Sequence, residues 1–328
     1  MEVSFDDKLE YYRQIYFTHD EPIPFKRDIF LYPVKLKDYY NFYRLIGNFT
    51  IDKNEDKEVL GIKMNHLSYM FYLMEKKETG DRTFAEFVSL LEMITRKKNC
   101  FICDNENCDE ESKTFEEMQE KINSVERESL LIQDQKKKEE MIYRAIEKIQ
   151  VCEKCGSALR QYYCIKQEGE KKQLFIGHVE ITPSEYENLR KLVCYQNMLD
   201  FDDEYVDPEL KADLEEVAKL KNPSGVTPSL EKQMAAVITG SSYKYEDLKE
   251  LTLRKFTMLL RIIDAKLHYM CYQEGKMSGL VQFKNEPDHW IWSSDDQKKD
   301  KFKDIMSLDQ IKTKFGDDAK QQGTSFDG

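Results

Sequence analysis

From Asp104 to Lys154 the chain contains no glycine and no proline, and a Cys-x-x-Cys pair sits at each end of that run. The pairs are Cys100 and Cys103 in "NCFICDNENC" and Cys152 and Cys155 in "VCEKCGSA". Without its usual breakers, such a stretch is expected to be helical. Phe115, Met118, Ile122 and Val125 step by three and four, and Met141, Ile142, Ala145 and Ile149 resume that step after the polar "QDQKKKEE". One straight helix of roughly 40 residues would be about 60 Å long and would hold the two pairs far apart. If the pairs share an ion, the segment must turn back between Glu126 and Lys138 as a helical hairpin. The break in apolar spacing permits that turn, although it also suits a long helix with a polar patch.

The case for a shared ion rests on donor chemistry. Zinc takes four ligands, and two Cys-x-x-Cys turns supply four thiolates tetrahedrally. The predicted ligands of a structural zinc are Cys100, Cys103, Cys152 and Cys155, with Cys108 and Cys164 close enough in sequence to replace one of them. "CEKCG" is the stronger half, because its trailing glycine lets the backbone curl under a metal; "CFICD" lacks that glycine. Unliganded reduced thiols are the plainer alternative. Four thiolates leave no open position on zinc, so such a site staples a fold and does not catalyse.

A net charge of -12 over 328 residues argues against a nucleic-acid partner, since lysines interleave with acids and no strong basic face is visible. The opening "MEVSFDDKLEYYRQ" has no basic stretch before an apolar core, and no run of about 18 apolar residues occurs. A cytoplasmic protein without a membrane span is expected. Thiols stay reduced there, and paired Cys-x-x-Cys motifs read as metal ligands before disulfides.

The remaining elements follow from period and punctuation. "DIFLYPV" reads as an edge strand broken by Pro33. Leu36, Tyr39, Tyr40, Tyr43 and Ile46 predict a helix ending at Gly47. "IKMNHLSYMFYLMEK" and "RTFAEFVSLLEMITRKK" predict two more, the second capped by Thr83 with Glu86. "ALRQYYCIKQEGEKKQLFIGHVEI" predicts two strands around a turn. Thr182, Pro183 and Glu185 open a helix running to about Met198. A Pro-initiated helix after "DFDDEYVDPE", another capped by Thr227 with Pro228, and a short one precede a long helix. That long helix carries Phe256, Leu259, Leu260, Ile263, Leu267 and Met270 on one stripe. "GLVQFKNEPDHWIW" closes the domain, and the polar tail from Ser294 holds a weak amphipathic element at Ile305, Leu308, Ile311 and Phe315.

The expected class is α+β, predominantly helical, with small N-terminal and mid-chain β elements and a hairpin insertion bearing the zinc site. The expected parts are residues 1–96, a strand-plus-helices part of the main body; 97–170, the cysteine module; 171–293, the helical remainder of the body; and 294–328, a mobile tail. No catalytic residues stand out. The five histidines form no His-Glu-x-x-His pair, and His66 and His268 read as core or boundary side chains. Phosphate loop, dinucleotide turn and nucleophile elbow are all absent.

Two stretches carry a resemblance. "EPIPFKRDIFLYPVKLKDYYNFYRLI" resembles the start of tail-assembly chaperones and baseplate-hub assembly proteins of tailed bacteriophages. "ITGSSYKYEDLKELTLRKFTMLLRIIDAKLHYMCYQEGKMSGLVQFK" is similar to the closing segment of proteins from phages and prophages of Gram-positive bacteria. The cysteine module departs from the small tail chaperones, which lack it. The resemblance implies a non-enzymatic assembly protein in the infected host cytoplasm, or carried in the virion, that binds tape-measure or hub proteins. A zinc-stapled virion structural protein and a zinc-dependent nucleic-acid-binding or regulatory protein are the alternatives.

Overall fold

The computed structural model describes residues 11–51, 64–109, 111–130, 135–169, 171–199 and 228–279, with 9, 53, 56, 58, 287 and 289–291 as single positions. The fold is α+β and predominantly helical, with small antiparallel sheets. The chain divides into two units, Met1–Leu259 and Leu260–Gly328.

After a helical turn at Arg13–Phe17, the first unit forms a two-stranded ribbon, β1 (Ile23–Lys26) and β2 (Ile29–Leu31), in which Ile23 pairs Leu31 and both are fully buried. A 3-10 turn at Leu36–Asp38 leads into α1 (Tyr39–Leu45) and α2 (Gly47–Thr50). The buried face is Leu36, Phe42, Leu45, Ile46 and Phe49, while Tyr40 and Tyr43 are exposed, unlike the stripe predicted from spacing. The tighter 3-10 turn rotates the following residues off an α-helical register. Phe42 also buries without a hydroxyl to satisfy, which Tyr43 could not. Gly47 starts a helical turn where a stop was predicted.

Asn65 caps α3 (His66–Glu75) by accepting the Ser68 N–H at 2.8 Å. Helix α4 (Gly80–Thr95) begins one turn before the predicted Thr83 cap, and the Thr83 hydroxyl donates back to the Thr79 carbonyl at 3.0 Å. The reason lies at Gly80, where a Cβ would fall 2.1 Å from the Met74 carbonyl oxygen. Only glycine allows the two helices to join so closely.

The cysteine module follows: β3 (Phe101–Cys103), then α5 (Phe115–Ser129) and α6 (Gln135–Ile149), then β4 (Leu159–Gln161). The glycine- and proline-free run does fold back, between Leu130 and Gln135, as an α5–α6 hairpin. Thr114 and Glu117 form a full capping box at the start of α5. Strands β3 and β4 pair antiparallel, Phe101 with Gln161 and Cys103 with Leu159, closing the loop at its base.

A three-stranded sheet, β5 (Tyr163–Glu168), β6 (Lys171–Ile176) and β7 (Val179–Ile181), takes the place of the two strands predicted. The β5–β6 hairpin pairs Tyr163 with Ile176 and Glu168 with Lys171. Tyr163 is fully buried, its hydroxyl donating to the Lys97 carbonyl at 2.7 Å.

Helix α7 (Pro183–Gln196) has the predicted box between Thr182 and Glu185. Its Tyr186 packs edge-on against Phe49 (5.8 Å) and beside Phe87 (6.3 Å), making an aromatic centre with α2 and α4. Under it, fully buried Arg190 donates to the Phe49 carbonyl (2.6 Å) and to Glu187 (2.7 Å), and Glu187 also meets His66 Nδ1 at 2.6 Å. Burial alone would raise the Glu187 pKa, but the His66 hydrogen bond and the Arg190 charge outweigh it and hold the carboxyl at about 2. His66 is thus a satisfied core side chain, as predicted.

Helix α8 (Leu230–Gly240) is capped by Ser229, which accepts the Lys232 N–H, and is followed by α9 (Tyr245–Leu248) and α10 (Leu253–Met277). The two stretches that carry the resemblance meet here: Leu36 N–H donates to the Leu251 carbonyl, and Leu253 N–H to the Val34 carbonyl, both at 2.8 Å. Lys35 and Lys37 reinforce this by both pairing with Glu250.

Within the second unit, α10 leaves Leu267, Met270 and His268 exposed, whereas Tyr272 is buried. The predicted apolar stripe and boundary histidine do not hold along that part. Among the described residues, no helix is long and apolar enough to cross a membrane. The acidic "DFDDEYVDPE" segment and its helix, Thr227, most of "GLVQFKNEPDHWIW" and the tail from Ser294 lie outside the described residues.

Candidate metal centre

Two loops at the base of the hairpin bring four thiols together. The first follows β3: Asn105 accepts the Cys108 N–H on its carbonyl (3.0 Å) and the Asn107 N–H on its side chain (3.1 Å), so the chain turns between Cys103 and Cys108. The second follows α6: Gly156 N–H donates to the Cys152 carbonyl at 3.0 Å, and Cys152 N–H to the Ser157 carbonyl at 2.7 Å. Gly156 sits at φ 73°, a left-handed conformation that glycine adopts without strain.

The Sγ atoms of Cys103, Cys108, Cys152 and Cys155 all lie within 4.8 Å of one another. Cys103 and Cys155 are 3.3 Å apart, and Cys108 and Cys152 3.6 Å apart. A tetrahedron with zinc–sulfur bonds of about 2.3 Å sets sulfurs about 3.8 Å apart. The observed spacing fits that cage, and all four cysteines are free thiols. Cys103 and Cys152 are buried, Cys108 is half-buried and Cys155 is exposed, so the cage has an inner and an outer side.

The same backbone device supports both loops. The Asn105 N–H points at the Cys103 sulfur and the Ser157 N–H at the Cys155 sulfur, each two residues beyond its cysteine. Hydrogen bonds from the Ser157 hydroxyl and N–H, and from Cys103, hold the Cys155 thiol down at about 6, while burial pushes Cys103 up. Charges around the cage are tied in pairs. Asp104 meets Arg160 and Lys166, both at 2.6 Å; Glu153 meets Lys113 and Lys121 at 3.0 and 2.9 Å. Lys154 reaches from the second loop to Asp109 on the first, at 3.1 Å.

Three of the four predicted ligands, Cys103, Cys152 and Cys155, are in the cluster, and Cys100 is not. Cys108, named as a replacement, takes that corner. The reason is strand geometry. Cys100 and Cys103 flank an extended segment, and residues an odd number apart in a strand face opposite sides. Cys100 is buried away from the cage, its carbonyl accepting the Tyr162 N–H at 2.8 Å. Cys164, the other replacement, is on β5, where its sulfur accepts from Arg160 at 3.3 Å. The signal was present in the residue types: "FI" between Cys100 and Cys103 favours strand, whereas "DNEN" after Cys103 favours a turn.

The donor set is four soft thiolates at tetrahedral spacing, which suits zinc, or iron in the same geometry. Compared with family models, with curated proteins and with solved structures, the chain finds no match.

Proposed function

We propose that Cys103, Cys108, Cys152 and Cys155 bind one structural zinc ion, and that the protein acts by binding other proteins and not by catalysis. The observation that carries the metal reading is the convergence of four thiols from two turns on one point, within 4.8 Å. A closed four-thiolate shell leaves no place for a substrate. Its task is mechanical: it locks the entry and exit of the α5–α6 hairpin so that the hairpin stands as a fixed arm.

The biological setting follows from the resemblance of residues 21–46 and 238–284 to phage tail-assembly and baseplate-hub assembly proteins. On that reading the arm meets tail components such as tape-measure or hub proteins in the infected cell. Tagged protein expressed during infection or prophage induction should co-purify with a tail component and be missing from purified particles. Stoichiometric presence in particles would instead make it a virion structural protein. Failure to capture any tail component would remove the phage reading and leave the zinc reading intact.

A further inference from the structure

Within the cage, two sulfur pairs span the two loops. Cys103 of the first loop meets Cys155 of the second at 3.3 Å, and Cys108 meets Cys152 at 3.6 Å. The pairs share no sulfur, and one encloses the other in sequence, so both can bond at once. Each also joins an outer sulfur to an inner one. Cys155 is exposed and Cys103 buried; Cys108 is half-buried and Cys152 buried. An oxidant in solvent therefore reaches one thiol of each pair first, with a second thiol directly behind it.

What holds the loops when the ion leaves decides which sulfurs then bond. The loops are tied to each other without it. The Asp104 N–H donates to the Ala158 carbonyl at 2.9 Å, Cys103 of β3 pairs with Leu159 of β4, and Lys154 reaches across to Asp109 at 3.1 Å. These contacts keep the thiols of opposite loops facing one another. Each pair is within about 2 Å of bonding distance, so side-chain movement suffices to close it.

We propose, on the zinc reading of the cage, that it is an oxidation site at which peroxide exchanges the ion for two cross-loop disulfides, Cys103–Cys155 and Cys108–Cys152. In each pair the outer thiolate attacks one peroxide oxygen and breaks the O–O bond, giving a sulfenic acid and hydroxide. The inner thiolate then attacks that sulfur, forms the S–S bond and expels a second hydroxide. Each pair loses two electrons to one peroxide. Protons from solvent turn the hydroxides into water, and the ion leaves as Zn²⁺. Because both new bonds cross from loop to loop, the base of the hairpin stays shut. Oxidation frees zinc without freeing the arm.

Peroxide titration of the zinc-loaded, reduced full chain tests this. Released zinc is read with a chromogenic chelator, and thiol pairing by mass mapping of unreduced peptides cleaved after Glu106 and after Lys154. About one zinc per chain should appear for about two peroxides, with Cys103 linked to Cys155 and Cys108 to Cys152. Helical circular dichroism should survive this loss of zinc, whereas loss to a chelator under reduction should lower it. Zinc kept at about tenfold excess of peroxide overturns the proposal. So does zinc released without these two links, including links inside one loop, and so does helicity lost while both links are present. A chain that carries no zinc before peroxide is added overturns the zinc reading itself, and the exchange with it, before the titration begins.

Discussion

At the scale of single residues, Cys100 and Cys108 separate what spacing suggests from what geometry allows. Cys100-x-x-Cys103 has the outline of a metal loop, yet its middle residues are Phe101 and Ile102, and the segment runs as a strand. Its two thiols therefore point apart, and the turn-forming "DNEN" delivers Cys108 instead. Cys108→Ser should abolish stoichiometric metal binding, whereas Cys100→Ser should retain it, as read by metal analysis of the purified variants. Gly156→Ala should bind zinc but lose about 1 kcal/mol, because an alanine is strained at φ 73°. Away from the site, Glu187 offers a pH prediction. Its carboxyl ionises at about 2 against an ordinary 4.5. Its contribution is complete above about 4.5 and is lost as the pH falls through about 2. Glu187→Gln should destabilise the protein at neutral pH by about 3 kcal/mol, since buried Arg190 loses its carboxylate, and should flatten the acid limb of the stability profile. Equal stability of wild type and variant at pH 7 would contradict this.

At the scale of elements, what was legible was what local chemistry decides. Thr182-Pro183-Ser184-Glu185 announced α7, and the structure carries both halves of its box. The hairpin was legible because two apolar stripes were separated by a polar break. What failed was decided by tertiary contact. Thr83 and Glu86 have capping-box spacing, but the backbone approach of Gly80 to Met74 starts α4 a turn earlier. The Tyr40 and Tyr43 stripe lost to Phe42 and Phe49 because a 3-10 turn, invisible to a 3.6-residue period, sets the phase of α1. The module's elements also rank in stability. Helices of 15 residues are marginal alone. Chelation of the metal should therefore melt α5 and α6 first, seen as a partial loss of helical circular dichroism, while the body around Phe49, Phe87 and Tyr186 holds. Loss of all structure in one step would show that the module is not a separate cooperative unit. Thr114→Ala should cost about 1 kcal/mol, by removal of the α5 cap.

At the scale of the whole molecule, the N-terminal ribbon and helices and the start of α10 close on one another through Val34, Leu36, Leu251 and Leu253, and the cysteine module is inserted between β3 and β4. Because that pairing joins residues more than 200 positions apart, no local pattern could have announced it. The insertion is joined to the body by two short strands, and the four clustered cysteines and the ion pairs that link the two loops lie at its base. On the proposal above, this cage holds one metal and fixes the arm. Metal analysis of full-length protein purified without chelator and under reducing conditions tests it most directly. The predicted result is one zinc per chain, displaced together with four thiolates that become reactive to a thiol reagent. A folded, reduced protein carrying no bound metal would contradict it.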